Sequence, residues 1–210
     1  MLHFKKAARL TAILTAFAGL QAYGQVAYLA KGNQEVNVFG GLSYGLDSWR
    51  GSFGGNYAYA FNKYVMTYGE YSYFPGINRQ IGETRNSAGN VISTGGVVSI
   101  PFQDVHGGVH LRLPVFPEKR IVPYLAGGVG WLGAKESGSL QVRQGNIFVP
   151  FPYEFESKGF AVNGGGGMRF YLSGNGRFGI RLEAKIYKPT SGDNTSPFGK
   201  ISLGIFYQFQ

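Results

Sequence analysis

The residues best suited to chemistry in this sequence are acids, bases and histidines that recur at every second position. Arg181, Glu183 and Lys185 have this spacing. In an extended chain, residues two apart point to the same side, so such acids and bases would face a common interior. We call this set the candidate charge network. Its members are Glu35, Glu70, Asp104, His106, His110, Arg112, Arg169, Arg181, Glu183, Lys185 and Lys200.

The candidate charge network contains four acids and five Arg or Lys residues, which is close to electrical balance. An unpaired charge held away from water costs several kcal/mol, so a buried set of this composition should pair internally. The balance therefore predicts a salt-bridge network that fills the interior of the fold. The alternative is a narrow pathway or gate for ions, made by pairs that rearrange.

Two of the histidines could in principle bind a metal ion. His106 and His110 lie four residues apart, which is roughly 13 Å along a strand and too far for one ion. We therefore predict no metal and no cofactor, and hydrogen bonds inside the fold for both rings. Ser99 and Asp104 lie near His106 in the sequence, but nothing orders them as a nucleophile and its base. The sequence predicts a protein that is not an enzyme.

The elements that would position these residues are short strands. Of 210 residues, 34 are Gly, 17 Phe and 14 Tyr, whereas 15% are charged and none is Cys. Gly costs about 1 kcal/mol per helical position relative to Ala, which argues against a helical core. The absence of Cys excludes a disulfide-stapled fold. Period-two alternation of apolar and polar residues instead predicts eight strands, at 35–45, 51–62, 64–74, 102–113, 121–133, 159–172, 177–188 and 199–209.

One face of each clear segment is apolar, and the other face carries charge or Gly. Aromatic residues such as Tyr59, Phe61, Tyr44 and Trp131 fall at the two ends of the apolar face. This matches the aromatic belts of a membrane barrel better than the core of a soluble sandwich. Short turns also alternate with longer loops, among them a polar loop at 77–100 and a loop at 134–158, as in outer-membrane barrels. The sequence predicts an all-β fold, an eight-stranded antiparallel transmembrane β-barrel, with ten strands as the alternative.

The start of the chain has the pattern of a secretory signal peptide. A basic stretch that includes Lys5 and Lys6 precedes an apolar run of about eleven residues, and small residues precede an expected cleavage site after Gly24. We expect residues 1–24 to be the signal peptide and residues 25–210 to form the barrel domain. Export argues against nucleic acid as a partner, although the formal net charge is +9.

Two motifs resemble the OmpA/OmpX-like family of outer-membrane barrels. Segment 202–209 resembles the β-signal read by the outer-membrane assembly machinery, with Gly204, Tyr207 and Phe209 at its key positions. Segment 123–130 resembles the Pro-Tyr-Gly strand common in this family. The resemblance implies localisation in the bacterial outer membrane and insertion by the assembly machinery. It also implies contact with outer-membrane lipid and lipopolysaccharide, and we expect a monomer.

The family supports many roles, so a functional hypothesis must rest on individual residues. Barrel enzymes of similar size include lipid A deacylases, whose family carries a Phe-x-His-x-Ser motif near the C-terminus. This sequence has no His after His110. We therefore predict a non-enzymatic protein of envelope structure or surface interaction. A small pore or channel for ions or solutes is the alternative, and a lipid A-modifying enzyme is less favoured.

The candidate contact residues lie between the fifth and sixth predicted strands, in an expected extracellular loop. This loop contains an apolar run, so it could form a hairpin that prolongs both strands. Such a hairpin could bind an unidentified surface ligand by strand addition or by aromatic contacts. It could instead pack on itself or add two spanning strands. The candidate contact residues are Ile147, Phe148, Phe151, Tyr153 and Phe155.

Overall fold

The computed structural model describes residues 28–45, 48–116, 120–144, 147–191 and 196–210. The predicted signal peptide lies outside these residues. Within the described part of the chain, no helix is long and apolar enough to cross a membrane.

The described residues form nine antiparallel strands, and eight of them close into a ring. The ring closes where β1 pairs with β9 and where β3 pairs with β5. This confirms the eight-stranded barrel and shows that the ten-strand alternative is wrong. The strands are β1 (Gln34–Gly45), β2 (Ser48–Ala60), β3 (Val65–Ile81), β4 (Thr84–Arg85), β5 (Val91–Arg112), β6 (Ile121–Gln144), β7 (Ile147–Tyr171), β8 (Phe178–Pro189) and β9 (Phe198–Phe209).

The polarity of the two faces of the barrel wall is the reverse of that in a soluble protein. Val38 is 68% exposed on the outside, whereas Arg181 is 1% exposed inside. Outward apolar residues recur on every strand of the ring, while most of the buried residues are polar or charged. An apolar exterior around a charged interior is the pattern of a membrane barrel, because lipid accepts the outer side chains and ion pairs satisfy the inner ones.

One end of the barrel, which we call the hairpin end, carries long extensions of the wall. The sequence predicted loops at 77–100 and 134–158, and most of both segments is strand instead. The prediction of a polar loop at 77–100 is wrong, because β3 and β5 resume their pairing after an irregularity between Phe74 and Ile77. The hairpin that prolongs the predicted fifth and sixth strands is present, since β6 and β7 pair without a break as far as Gln144 and Ile147.

The opposite end, which we call the terminal end, holds the start of β1, the end of β9 and the connections at 61–64, 113–116 and 172–177. A short segment before β1 packs across this end. Tyr28 and Leu29 lie against a buried cluster that contains Tyr171 and Phe206. The Tyr171 hydroxyl donates to the Tyr28 carbonyl at 3.1 Å. This contact covers the interior at the terminal end.

Candidate functional site

The interior of the barrel collects every member of the candidate charge network. All of these residues are buried, with no more than 4% exposure. They come from β1, β3, β5, β7, β8 and β9, whose inward positions the alternation of each strand determines. The ring brings together residues that lie up to 146 positions apart, as 181 minus 35 gives for Arg181 and Glu35.

Glu35 and Arg169 form the best-oriented pair of the network. Arg169 Nε donates to one Glu35 oxygen at 2.9 Å, and its Nη2 donates to the other at 3.2 Å. The guanidinium also lies 4.3 Å from the centre of the Tyr124 ring. Two parallel charge-assisted hydrogen bonds hold a carboxylate more firmly than a single contact does. This pair fastens β1 to β7 across the interior.

Glu70 is the centre of a second group of cations. Lys200 Nζ lies 2.5 Å from one of its oxygens, and Lys185 Nζ lies 3.2 Å from the other. Arg181 Nη2 is 3.5 Å from the Glu70 carboxylate, and the Asn56 amide donates to it at 3.1 Å. One carboxylate thus compensates positive charge from β8 and β9 at once.

Glu183 and Arg181 join these groups into one network. Lys185 Nζ lies 2.8 Å from the Glu183 carboxylate, and the Tyr124 hydroxyl donates to it at 2.7 Å. Arg181 lies 3.7 Å from Glu35, 3.5 Å from Glu70 and 3.8 Å from Glu183. Three acids therefore surround one guanidinium near the centre of the barrel.

Three candidate metal ligands meet in the interior, and the sequence argument about the two histidines missed this combination. Glu70 and His106 are direct cross-strand partners, and Asp104 lies 2.7 Å from His106 Nδ1. One ligand atom from each lies within 4.8 Å of the others. However, the ammonium groups of Lys185 and Lys200 already contact Glu70. Their charge opposes the binding of a divalent cation, so the arrangement fits an ion-pair cluster better than a metal centre.

Aromatic side chains also fill the interior, whereas the sequence argument placed the large aromatics at the lipid-facing rims. The Tyr68 ring stacks on His110 with centroids 4.1 Å apart, and Lys185 Nζ lies 4.5 Å from the centre of the same ring. Phe74 and Tyr187 are fully buried. Tyr68 lies two residues before Glu70 on β3, so both side chains face the same side of the wall. Strand alternation could therefore have predicted that Tyr68 points into the interior.

The candidate contact residues lie on the β6–β7 hairpin beyond the ring. Ile147 is 64% exposed and Phe151 is 56% exposed. By alternation, Ile147, Phe151, Tyr153 and Phe155 share the face that continues the inner wall of the barrel, and Phe148 points to the opposite face. The structure thus divides the candidate contact residues between two faces. We call the face with four of them the aromatic face of the hairpin.

The free edge of β7 is less open to strand addition than the sequence suggested. Phe160 N donates to Ser191 Oγ, and Phe160 O accepts from Thr190 N. Even-numbered residues of β7 therefore direct their backbone N–H and C=O groups away from β6. The pairing of β6 with β7 has no register shift, so Pro150 and Pro152 have the same orientation. Proline has no N–H, and this edge therefore lacks two donors that an added strand would need.

No protein-family profile and no curated protein matches the chain. Solved structures do match. The attachment invasion locus protein Ail of Yersinia pestis, in complex with the heparin analogue sucrose octasulfate, is 18% identical, with a TM-score of 0.53 over 85% of this chain and 99% of Ail. Neisserial surface protein A is 9% identical, with a TM-score of 0.54 over 84% of this chain and 96% of that protein.

A third match is a major outer membrane protein from Thermus thermophilus, which is 10% identical, with a TM-score of 0.53 over 84% of this chain and 99% of that protein. These identities are low, so the matches bear on the fold alone. They agree with the closed eight-stranded ring described above. In its fold, this chain is an eight-stranded antiparallel β-barrel similar to those of these outer-membrane proteins.

Proposed function

We propose that the protein is a non-enzymatic outer-membrane barrel that contacts a partner outside the membrane through the aromatic face of its β6–β7 hairpin. One observation carries the proposal: apolar side chains such as Phe151 and Phe155 remain exposed on a hairpin that extends beyond the ring. A contiguous exposed apolar patch is typical of a contact surface. The barrel serves as the rigid base for this surface.

A filled interior supports a structural role for the barrel over a channel. Tyr28 and Leu29 cover the terminal end, the charge network occupies the middle, and stacked rings of Phe74 and Phe102 lie towards the hairpin end. An eight-stranded barrel has room for little beyond its own side chains. The same filling argues against an enzyme, because His106 and its neighbours are buried and out of reach of a substrate.

The expected location and partners follow from the surface. The exposed apolar belt suits contact with outer-membrane lipid, including lipopolysaccharide, and the hairpin end would then face outwards as the longer loops of such barrels do. Tyr207 and Phe209 lie on the outer side of β9, where assembly machinery could read them together with Gly204. A cleaved signal peptide at residues 1–24 would direct export.

The charges on the hairpin favour a protein partner over a sulfated polysaccharide. Ail was solved with a heparin analogue. In this chain Lys158 lies 3.2 Å from Glu156, and Lys135 contacts Glu154. The hydrogen bond with Glu154 raises the pKa of Lys135, which keeps that pair charged and mutually compensated. A polyanion would have to displace these carboxylates, whereas the aromatic face offers contact area to a protein.

A cell-adhesion assay tests the contact surface. A non-adherent laboratory strain would express the protein, and its attachment to wells coated with laminin, fibronectin or the same strain's own cells would be counted. We expect attachment that falls at least fivefold in the double variant Phe151→Ser and Phe155→Ser. Phe148→Ser, on the opposite face, is the matched control. Attachment that is absent on every coating, or that is equal in all three proteins, would overturn the proposal.

A planar-bilayer recording tests the filled interior separately. We expect no discrete conductance steps from the wild-type protein. Reproducible steps that change size in Arg181→Glu would show an ion path through the network and would favour the channel alternative.

A further inference from the structure

A cavity of about 120 Å³ opens at the hairpin end of the interior. Strands β1, β2 and β5 to β9 all contribute to its walls, so the closed ring forms the cavity rather than a single loop. Backbone and apolar side chains make up most of its lining. The residues that the argument below uses are Ser43, Ile100, Phe102, Leu132, Ala134 and Phe198.

Aromatic rings form one side of the cavity. Phe102 and Phe198 both line it, and their rings meet edge to face with centroids 5.5 Å apart. Phe102 also stacks on Phe74 with centroids 3.9 Å apart, and Phe198 stacks on Tyr187 with centroids 4.7 Å apart. Phe74 and Tyr187 are fully buried, so they hold the two lining rings in place. A further aromatic ring would find stacked and edge-to-face partners here.

One buried polar group of the cavity has no hydrogen-bond partner among the described residues. Ser43 is 2% exposed and lines the cavity. It faces inwards on β1, where its partners in the register are Arg50 of β2 and Lys200 of β9. No described residue forms a hydrogen bond with its hydroxyl. A buried hydroxyl without a hydrogen bond is unfavourable, so a ligand that supplies one gains free energy at this position.

The other polar groups of the cavity are engaged or lie nearer to solvent. The Arg50 guanidinium lies 4.8 Å from the centre of the Phe102 ring and donates to the Ile100 carbonyl at 3.3 Å. The remaining serines of the lining are more exposed than Ser43. A neutral ligand with a single hydrogen-bonding group therefore suits this cavity.

We propose that the cavity binds a small neutral aromatic alcohol of the phenol class, whose hydroxyl pairs with that of Ser43. A buried apolar cavity of roughly 150 Å³ is known to hold benzene, so this space fits one ring. A phenol is neutral at pH 7, because its pKa is about 10, and its hydroxyl can both donate and accept. Leu132 and Ala134 would contact the ring. The site is distinct from the aromatic face of the hairpin and does not depend on the proposed contact with a partner.

The test is ¹⁹F NMR titration of 4-fluorophenol against the full protein in phosphatidylcholine nanodiscs, with empty nanodiscs as the blank for partition into lipid. The second probe is 4-fluorotoluene, which has the same shape but no hydrogen-bonding group. Ser43→Ala removes the hydroxyl, and Ala134→Phe fills the cavity beside its cross-strand partner Phe102. Ser139→Ala, at an exposed site of β6, is the matched control for the loss of a hydroxyl. Heat-modifiable migration in gel electrophoresis checks that each variant has formed the barrel.

We expect saturable binding of 4-fluorophenol that is at least fivefold weaker in Ser43→Ala, lost in Ala134→Phe and unchanged in Ser139→Ala. Binding of 4-fluorotoluene should change less than twofold in Ser43→Ala, because its methyl group forms no hydrogen bond with the serine. Three results would overturn the proposal: no saturable binding of 4-fluorophenol by the wild-type protein, equal binding in Ala134→Phe, or an equal effect of Ser43→Ala on both probes. If Ala134→Phe does not form the barrel, Ala134→Leu fills the cavity in its place.

Discussion

At the scale of single residues, two adjacent glycines of β7 differ in whether the structure leaves room for a side chain. Gly165 faces the interior, and a Cβ there would lie 2.0 Å from the Ala184 carbonyl oxygen of β8. Gly164 faces outwards, and a Cβ there would meet nothing within 4 Å. We expect Gly165→Ala to lower the free energy of unfolding by about 1–3 kcal/mol, because the backbones must separate.

Gly164→Ala should change the free energy of unfolding by less than about 0.5 kcal/mol, as a substitution without steric conflict does. Urea titration of the two variants in detergent micelles, followed by tryptophan fluorescence, measures both values. Equal effects would show that close approach of the strands is not what requires glycine at position 165.

The charge network gives a second prediction at this scale. Glu70→Gln leaves Lys200 and Lys185 buried without the carboxylate that lies 2.5 and 3.2 Å from them. Removing one partner of a buried ion pair costs about 3–5 kcal/mol, so the urea midpoint should fall sharply. Glu83→Gln is the control, since Glu83 pairs with Arg85 at an exposed site and should change stability by at most about 1 kcal/mol. If both variants unfold alike, water reaches the interior and the channel alternative gains support.

Strand alternation was enough to place the whole candidate charge network inside the barrel. It was not enough to give the partners, because the contacts of Arg181 with Glu35 and Glu70 depend on how the ring closes. A cavity at the hairpin end, lined by Phe102 and Leu132 among others, also escaped the sequence analysis, because its walls come from several distant strands. The odd or even position of a residue within its strand therefore predicts which side of the wall it faces. Only the register between strands predicts which residues it contacts.

At the scale of elements, the extensions at the hairpin end were the hardest part to predict. Residues 77–100 are rich in polar and small side chains, which is the composition of a loop, yet β3 and β5 pair through most of this segment. Main-chain hydrogen bonds to a neighbouring strand stabilise such a segment whatever its side chains are. The β6–β7 hairpin was easier to recognise, because its apolar residues alternate through the predicted loop.

Pro150 and Pro152 leave the free edge of this hairpin without two N–H donors. We expect Pro150→Thr together with Pro152→Thr to convert a monomer into an edge-paired dimer, because the change restores two N–H donors on an exposed strand. Light scattering on the protein in detergent gives the mass. Ser139→Thr with Gln141→Thr on the paired strand β6 is the control for β-propensity. A protein that stays monomeric at every concentration would show that the prolines have no such role.

At the scale of the whole molecule, stability depends on a solvent that differs from water. The apolar side chains that a soluble protein buries lie on the outside here, as Val38, Val129 and Ile186 show with exposures of 68%, 62% and 66%. The interior holds charges in their place. Lipid is therefore part of what stabilises the fold, and the ion pairs of the interior compensate the charges that the barrel buries.

This inversion predicts that folding requires a bilayer or micelle. The urea-unfolded chain, diluted into phosphatidylcholine vesicles, should regain a β circular-dichroism spectrum and a heat-modifiable band in gel electrophoresis. Diluted into buffer alone, it should aggregate, because the exposed belt would face water. Dilution into vesicles followed by protease should leave the barrel strands intact and cut at the hairpin end. Recovery of a monomeric, protease-resistant form without lipid would contradict the barrel and favour a soluble sandwich, since only a fold with its apolar face inside can be stable in water.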